Sequence, residues 1–227
     1  MMETAAETDH SLEDLRLELA PHIAEAAAFD GWSEAAVEAA AEMSGVDPAA
    51  ARFAFQGEQG ASAAMTMITA WAGSIDRAMA EALPSERLAT MPIRQRITAL
   101  VQFRLDAIAG REEALRGALV ELAKPRNIPA STRLAWRSAD VMWRLAGDTA
   151  TDYNHYTKRA ILGSIYAATL AMLADDKSED RAETRAFLAR RIEGIMRFEK
   201  AKAQFLKPGE ESFSVTRLLG RLRYPAR

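Results

Sequence analysis

The chain has 227 residues, of which 49% are hydrophobic and 27% charged, so it is long and apolar enough to bury a core. It contains no cysteine, which excludes disulfides, thiolate metal sites and a cysteine nucleophile. The net charge is −3, but it is unevenly distributed along the chain. Residues 1–60 hold two basic and thirteen acidic side chains, a charge of −11, whereas residues 61–227 hold 27 basic and 19 acidic side chains, a charge of +8.

Helical periodicity dominates the sequence. Alanine is abundant, β-branched residues are sparse, and apolar residues recur every three or four positions, as on one face of a helix. No stretch alternates in the manner of a strand, so we predict an all-α fold. The predicted elements are about nine helices, over residues 11–29, 33–43, 48–54, 61–83, 92–108, 112–123, 131–146, 151–173 and 178–206.

The first three helices predict a helix-turn-helix. A turn at 44–46 precedes Asp47, a favourable N-cap, and Pro48, which suits the first helical position. We therefore predict a head over residues 11–56, a helical body over 61–206 that ends in an amphipathic helix, and a basic flexible tail over 207–227. A helix-turn-helix followed by about six helices is similar to the arrangement of TetR regulators, by analogy of fold alone.

The composition of the head argues against nucleic acid as a partner. DNA-binding helices contact phosphates through Lys and Arg and read bases through Arg, Lys, Asn or Gln. The candidate recognition helix, 48–54, offers only Arg52, within a strongly acidic segment. We predict that the chain binds no nucleic acid, although a ligand-responsive transcriptional regulator of the TetR type stays the alternative.

Motifs for catalysis and metal binding are missing from the sequence. A di-iron bundle needs two Glu-x-x-His motifs, and the sequence has one, at residues 7–10; it has no phosphate-binding glycine loop and no Gly-x-Ser-x-Gly. Asp152 and His155 form a single Asp-x-x-His without a second copy. We therefore predict a protein without enzymatic activity, catalytic residues or bound metal. Residues 1–11 are acidic and polar, so we predict no signal peptide. The sequence contains no run of 18 uncharged apolar residues, so we predict no membrane-spanning helix.

The most informative segment is residues 147–173. On a helix, Asp152, His155, Tyr156 and Arg159 share one face. Tyr and Arg on an exposed face are typical of a protein contact surface. The alternative is a buried network in which Asp152 pairs with Arg159, and the pattern alone leaves both interpretations open.

This segment also carries a family resemblance. Residues 147–159 read GDTATDYNHYTKR, and they are accompanied by Met-Trp at 142–143, Asn-Ile-Pro at 127–129 and Gly-Trp-Ser at 31–33. Together these residues resemble the COQ9 family of ubiquinone-biosynthesis proteins, lipid-binding proteins with a TetR-like fold. The resemblance extends over about residues 12–205.

The resemblance implies a function and several partners. It implies a homodimer that binds a lipid or an isoprenoid quinone intermediate, with no other cofactor, and presents it to the di-iron demethoxyubiquinone hydroxylase. The residues expected to dock the hydroxylase are Asp152, His155, Tyr156 and Arg159. His155 stands where the family usually has Trp, and Lys158 replaces an Arg, so docking is expected to be weaker or differently placed. The expected location is cytoplasmic, peripheral on the inner face of a bacterial cytoplasmic membrane.

Two further surfaces follow from residue patterns and the resemblance together. Met- and Trp-rich stripes, typical of core but also of adaptable pockets, predict the lipid contacts Met65, Ile68, Trp71, Trp136, Met142 and Trp143. Residues 181–206 hold seven basic and three acidic groups beside a broad apolar arc. The predicted contacts with anionic membrane are Phe187, Leu188, Arg190, Ile192, Ile195, Arg197 and Phe198, with packing on the domain or on a dimer partner as the alternative.

Overall fold

In the computed structural model, the described residues are 3–57, 61–151 and 153–206, and over these the chain is helical without a strand. Within these ranges the ten α-helices are α1 (Glu3–Asp30), α2 (Glu34–Ser44), α3 (Pro48–Phe55), α4 (Ala63–Ala82), α5 (Ser85–Ala89), α6 (Ile93–Ile108), α7 (Glu112–Ala123), α8 (Ile128–Leu145), α9 (Tyr153–Asp175) and α10 (Ala182–Leu206). Short 3-10 turns at Pro125–Asn127 and Glu179–Arg181 precede α8 and α10. The predicted all-α class is confirmed.

The predicted helix-turn-helix forms through the expected local signals. Gly45 ends α2 in the left-handed conformation (φ 66°), which glycine adopts without the Cβ clash of other residues. The Asp47 carboxylate accepts a hydrogen bond from the Ala49 amide (3.1 Å), and Pro48 opens α3.

Three element boundaries differ from the sequence-based expectations. Helix α1 begins at Glu3, eight residues before the predicted start at residue 11. The segment 125–129, which lies between the helices predicted over 112–123 and 131–146, forms a 3-10 turn and the start of α8, because Pro129 is tolerated in a first helical turn. The short helix α5 was not predicted, since five residues are too few to show periodicity.

The chain divides into two compact units, residues 1–189 and 190–227. Within the first unit, α1 packs against α2 and α3 and also against α4 and α7. Trp32 strengthens this packing, because its Nε1 donates to the Ala114 carbonyl of α7 (2.9 Å) and its ring lies 5.4 Å from that of Trp71 on α4. Helix α1 of the predicted head therefore packs directly against helices of the predicted body. That the head is a separate domain stays a prediction.

The second unit is helical where it is described, over residues 190–206 of α10. The predicted tail, 207–227, lies outside the described residues. Among the helices of the described ranges, none combines the length and apolar character needed to cross a membrane.

Candidate functional site

An apolar cavity of about 310 Å³ lies among helices α4, α6, α7, α8 and α9. Each helix contributes large apolar side chains to the wall, among them Ile68, Trp71, Ile108, Leu115, Leu134 and Leu170. The volume is at the lower end of the range for small-molecule sites, which are also mostly apolar. The cavity can therefore hold a hydrophobic molecule or part of a longer one.

Only two of the six predicted lipid contacts line this cavity, Ile68 and Trp71 of α4. Met65 lines a different cavity, and Met142 is fully buried without lining this one. The rotation of α8 about its axis explains why its two tryptophans do not line this cavity. Residues 131, 134, 135 and 138 lie on one side of the helix, which faces the cavity, whereas Trp136 and Trp143 lie roughly 120–140° away around the helix axis.

A polar cluster interrupts the apolar wall of the cavity. Arg104, Ser138 and Tyr166 all line it, and Arg104 is only 1% exposed. The Arg104 guanidinium donates through Nη1 to Asp76 and through Nη2 to the Ser138 hydroxyl (3.1 Å), and its Cζ lies 4.8 Å from the centre of the Tyr166 ring. Burial raises the pKa of Asp76, although Arg104 and Arg137 oppose that shift.

Sequence reasoning missed Arg104, but its position held a usable signal. Arg104 lies four residues after Leu100 and four before Ile108, within the apolar stripe of α6. A charged residue at core spacing is rarely buried without a partner. The partner, Asp76, is 28 positions earlier on another helix, so only the tertiary structure identifies it.

A second cavity of about 320 Å³ shares the lining residue Leu134 with the first. Its wall includes Met65, one acidic residue, Glu13, and three arginines, Arg16, Arg133 and Arg137, which leaves an excess of positive charge. The two cavities therefore differ in chemistry, the first being apolar with one polar cluster and the second cationic.

The segment that carries the family resemblance forms a buried ion-pair network. Arg159 is 2% exposed and donates to Asp140 (2.6 Å) and Asp148 (3.0 Å), while Lys158 pairs with Asp148 (2.6 Å). Burial alone would raise the pKa of Asp148, but the hydrogen bonds from Lys158 and Arg159 hold it below its usual value. The predicted docking residue Arg159 is thus turned into the protein, because two carboxylates draw it inward. Asp152 lies outside the described residues.

An aromatic surface forms beside this network, composed of Trp136, His155 and Tyr156. The ring centres of Trp136 and Tyr156 are 6.0 Å apart, and those of His155 and Tyr156 are 5.1 Å apart. His155 is oriented by its Nδ1, which lies 2.9 Å from the Ala150 carbonyl oxygen. Tyr156 is 61% exposed. The structure therefore groups Trp136, a predicted lipid contact, with two of the predicted docking residues.

The predicted membrane contacts are distributed over both units. Phe187 and Leu188 belong to the first unit, where Leu188 is buried and Phe187 is half-buried. Arg190, Ile192, Ile195 and Arg197 belong to the second unit, in which Arg197 pairs with Glu193 (2.6 Å). The side chain of Phe198 lies outside the described residues. Contact with a membrane stays a prediction for this helix.

The helix-turn-helix presents little positive charge to a polyanion. Arg52, the basic residue of α3, pairs with Glu38 (2.6 Å) and approaches Glu34 (3.7 Å), both on α2. A phosphate would have to compete with these carboxylates and with the acidic surroundings. Among the side chains that the structure describes, no three His, Cys, Asp or Glu residues are grouped to hold a metal ion.

Comparison with known proteins adds a family and a fold. Residues 128–199 match the COQ9 family model. The chain is 31% identical over 183 residues to the human mitochondrial ubiquinone biosynthesis protein COQ9, covering 79% of this chain and 57% of that protein. It is 40% identical over 89 residues to the Bos taurus protein of the same name, covering 39% of this chain and 28% of the relative.

These matches confirm the resemblance to the COQ9 family, and the chain spans a little over half the length of the human protein. A TetR transcriptional regulator from Nitrosomonas europaea ATCC 19718 has a similar structure, with a TM-score of 0.60, 23% identity, and coverage of 81% of this chain and 98% of that chain. The TetR-like fold is therefore confirmed.

Proposed function

We propose that this chain, a relative of the COQ9 proteins, is a non-enzymatic accessory protein of ubiquinone biosynthesis that binds an isoprenoid quinone intermediate. The observation that carries the proposal is the apolar cavity within the helical body, lined by Ile68 and Trp71. The segment that encloses it from one side, α8 and α9, lies within the match to the COQ9 family model. A hydrophobic chain loses contact with water in such a cavity, which is the main source of its affinity.

In this proposal the protein presents its ligand to a di-iron demethoxyubiquinone hydroxylase. The aromatic surface of Trp136, His155 and Tyr156 supports a docking role, because Tyr156 is mostly exposed and aromatic side chains anchor protein interfaces. Arg159 then acts indirectly, by holding the helix that carries Tyr156. The basic, apolar α10 would bring the protein, as a homodimer, to the inner face of an anionic membrane.

The ligand proposal is tested by native mass spectrometry of the purified protein, followed by lipid extraction. An isoprenoid or phospholipid should co-purify with the wild type. Ala118→Leu places extra atoms in the cavity and should remove the ligand, whereas Val120→Leu, on the exposed side of the same helix, should not. A wild-type protein that carries no lipid, or one that keeps its lipid in the Ala118→Leu variant, would contradict the proposal.

The place in metabolism is tested by deleting the gene. Ubiquinone should fall and a demethoxy precursor should accumulate, and an unchanged quinone profile would argue against the role. Docking is tested with Tyr156→Ala, which should weaken binding to the hydroxylase by about tenfold without changing stability, as for an exposed interface anchor. Val120→Ala, another exposed apolar position, is the matched control.

A transcriptional regulator is the second candidate, supported by the shared fold with the TetR regulator. The ion pairs of Arg52 with Glu38 and Glu34 weigh against it. A gel-shift titration with genomic fragments at low salt separates the two functions. Specific nanomolar binding would favour the regulator, and weak binding that salt removes would not.

A further inference from the structure

Two arginines of α8 line the second cavity without a partner to balance their charge. Arg133 and Arg137 are both exposed, and neither forms a hydrogen bond or an ion pair with a residue that the structure describes. They are four positions apart, so they lie on the same face of the helix, where like charges repel one another. An anion bound between them would relieve this repulsion.

The other charges near this cavity do not neutralise the two arginines. Glu13 and Arg16, three positions apart on α1, also line it, and their charges cancel in the count. Burial raises the pKa of Asp76 and the charge of Arg137 opposes that shift, but Asp76 is already paired with Arg104. The cavity wall therefore has an excess of two positive charges, which matches a dianion better than a single carboxylate.

A phosphate monoester fits this arrangement by charge and by shape. It carries a charge of about −1.5 to −2 near neutral pH and has three acceptor oxygens. A guanidinium group donates two parallel N–H bonds to phosphate oxygens, so two arginines on one helix face can hold one phosphate between them. Thr69 also lines the cavity, and its hydroxyl can donate a further hydrogen bond.

Much of the remaining wall of this cavity is apolar. Leu17, Met65 and Leu134 line it together with the small residues Ala70 and Gly73. Such a surface contributes little to the binding of an inorganic ion, but it binds a hydrocarbon chain by excluding water. The volume of about 320 Å³ has room for a head group and the first carbons of a chain.

We propose that the second cavity binds an amphiphile with a phosphate monoester head. Arg133 and Arg137 hold the phosphate, and Leu17, Met65 and Leu134 contact the beginning of the apolar chain. The site does not depend on the quinone proposed for the first cavity, where Asp76 already balances the charge of Arg104 and no excess of positive charge remains.

The test is isothermal titration calorimetry at about pH 8 with decyl phosphate, decanoate, decanol and inorganic phosphate, each below the concentration at which micelles form. Wild type should bind decyl phosphate about tenfold or more tightly than decanoate, because the second negative charge meets a second guanidinium group. Inorganic phosphate should bind at least about tenfold more weakly than decyl phosphate, because it has no chain to bury.

Two variants of α8 locate the binding site. Arg133→Gln and Arg137→Gln should each weaken the binding of decyl phosphate by about tenfold, with the binding of decanol unchanged. Because both residues are exposed and repel each other, neither variant should have a lower Tm than wild type.

Two matched controls accompany these variants. Arg144→Gln removes the same charge from the same helix at an exposed position that does not line the cavity, and it should change the affinity by less than about twofold. Ala118→Leu, which reduces the first cavity, should leave the affinity for decyl phosphate unchanged.

Each outcome supports or overturns the proposal. If decanoate or inorganic phosphate binds as tightly as decyl phosphate, or if wild type does not bind decyl phosphate, the ligand class is wrong. If either Arg133→Gln or Arg137→Gln binds decyl phosphate as tightly as Arg144→Gln does, or if Ala118→Leu abolishes the binding, the site is not the second cavity. Loss of affinity in both α8 variants, with both controls unchanged, supports the assignment, and none of these results decides whether a quinone occupies the first cavity.

Discussion

Replacing Arg159 with alanine should destabilise the protein by about 3–5 kcal/mol, the usual cost of removing one member of a buried ion pair. Arg159 is 2% exposed and donates to Asp140 (2.6 Å), to Asp148 (3.0 Å) and to the backbone carbonyl of His155 (3.1 Å). Its loss leaves Asp148, which is 5% exposed, with a single cationic partner, Lys158. The magnitude therefore comes from the three lost hydrogen bonds of a buried guanidinium and from two carboxylates that each lose one cationic partner.

A matched control uses the same acceptor. Arg144 also pairs with Asp140 (2.8 Å), but its side chain is 73% exposed. Exposed ion pairs contribute about 0–1 kcal/mol, because water already solvates both charges and salt screens them. Arg144→Ala should therefore change the free energy of unfolding by less than about 1 kcal/mol.

The assay is urea unfolding followed by circular dichroism at 222 nm, with thermal unfolding as a second measure. For a protein of this length, a loss of about 3–5 kcal/mol corresponds to a fall in Tm of roughly 6–20 °C. If Arg159→Ala is no more destabilising than Arg144→Ala, the buried network does not hold α8 and α9 together and the reasoning is refuted.

Three further predictions concern stability. Although burial alone would raise its pKa, hydrogen bonds from Ser178 and Thr184 hold the pKa of Asp176 below its usual value of 3.8, so its contribution should be present above about pH 4 and lost as the pH falls. Asp176→Asn should remove this contribution, so the urea concentration at half-unfolding should fall less on acidification than it does in the wild type. Gly163→Val should cost about 1–3 kcal/mol, because a Cβ there would already lie 3.4 Å from a carbonyl oxygen of α8. Trp32→Phe should cost about 1–2 kcal/mol, since it removes a buried hydrogen bond to α7.

Each of these has a result that would contradict it. The pH dependence is wrong if Asp176→Asn and wild type lose stability in parallel below pH 4. Gly194→Val, in a helix with nothing within 4 Å of an added Cβ, should cost less than Gly163→Val, so equal losses at the two positions would show that close packing at Gly163 is not the cause. A Trp32→Phe variant within about 0.5 kcal/mol of wild type would show that its hydrogen bond contributes little.

Local signals in the sequence accounted for most of the helices. The caps at Gly45 and Asp47 act through neighbours within a few positions, so they are visible without tertiary structure. The family resemblance also came from a short local run, residues 147–159, which lies largely within the match to the COQ9 family model. The helix predicted over 11–29 does run through Pro21, because one proline can be tolerated within a long helix.

The candidate site was only partly predictable. Ile68 and Trp71 could be placed at the cavity because they belong to a clear apolar stripe. The surroundings of Trp136 and Arg159 depend on how α8 and α9 are rotated about their axes. The spacing of residues along the sequence shows which residues share a helix face, but not which neighbour that face packs against.

The sequence by itself determined the all-α class, the order of the helices and the division of charge between an acidic start and a basic remainder, because these depend on residue type and on spacing within one helix. Only the tertiary structure decided that Arg104 meets Asp76 at an apolar cavity and that Arg159 is buried between Asp140 and Asp148. Those pairs join residues 11 to 28 positions apart, on different helices or on a helix and the loop before it, and their geometry exists only once the helices are packed.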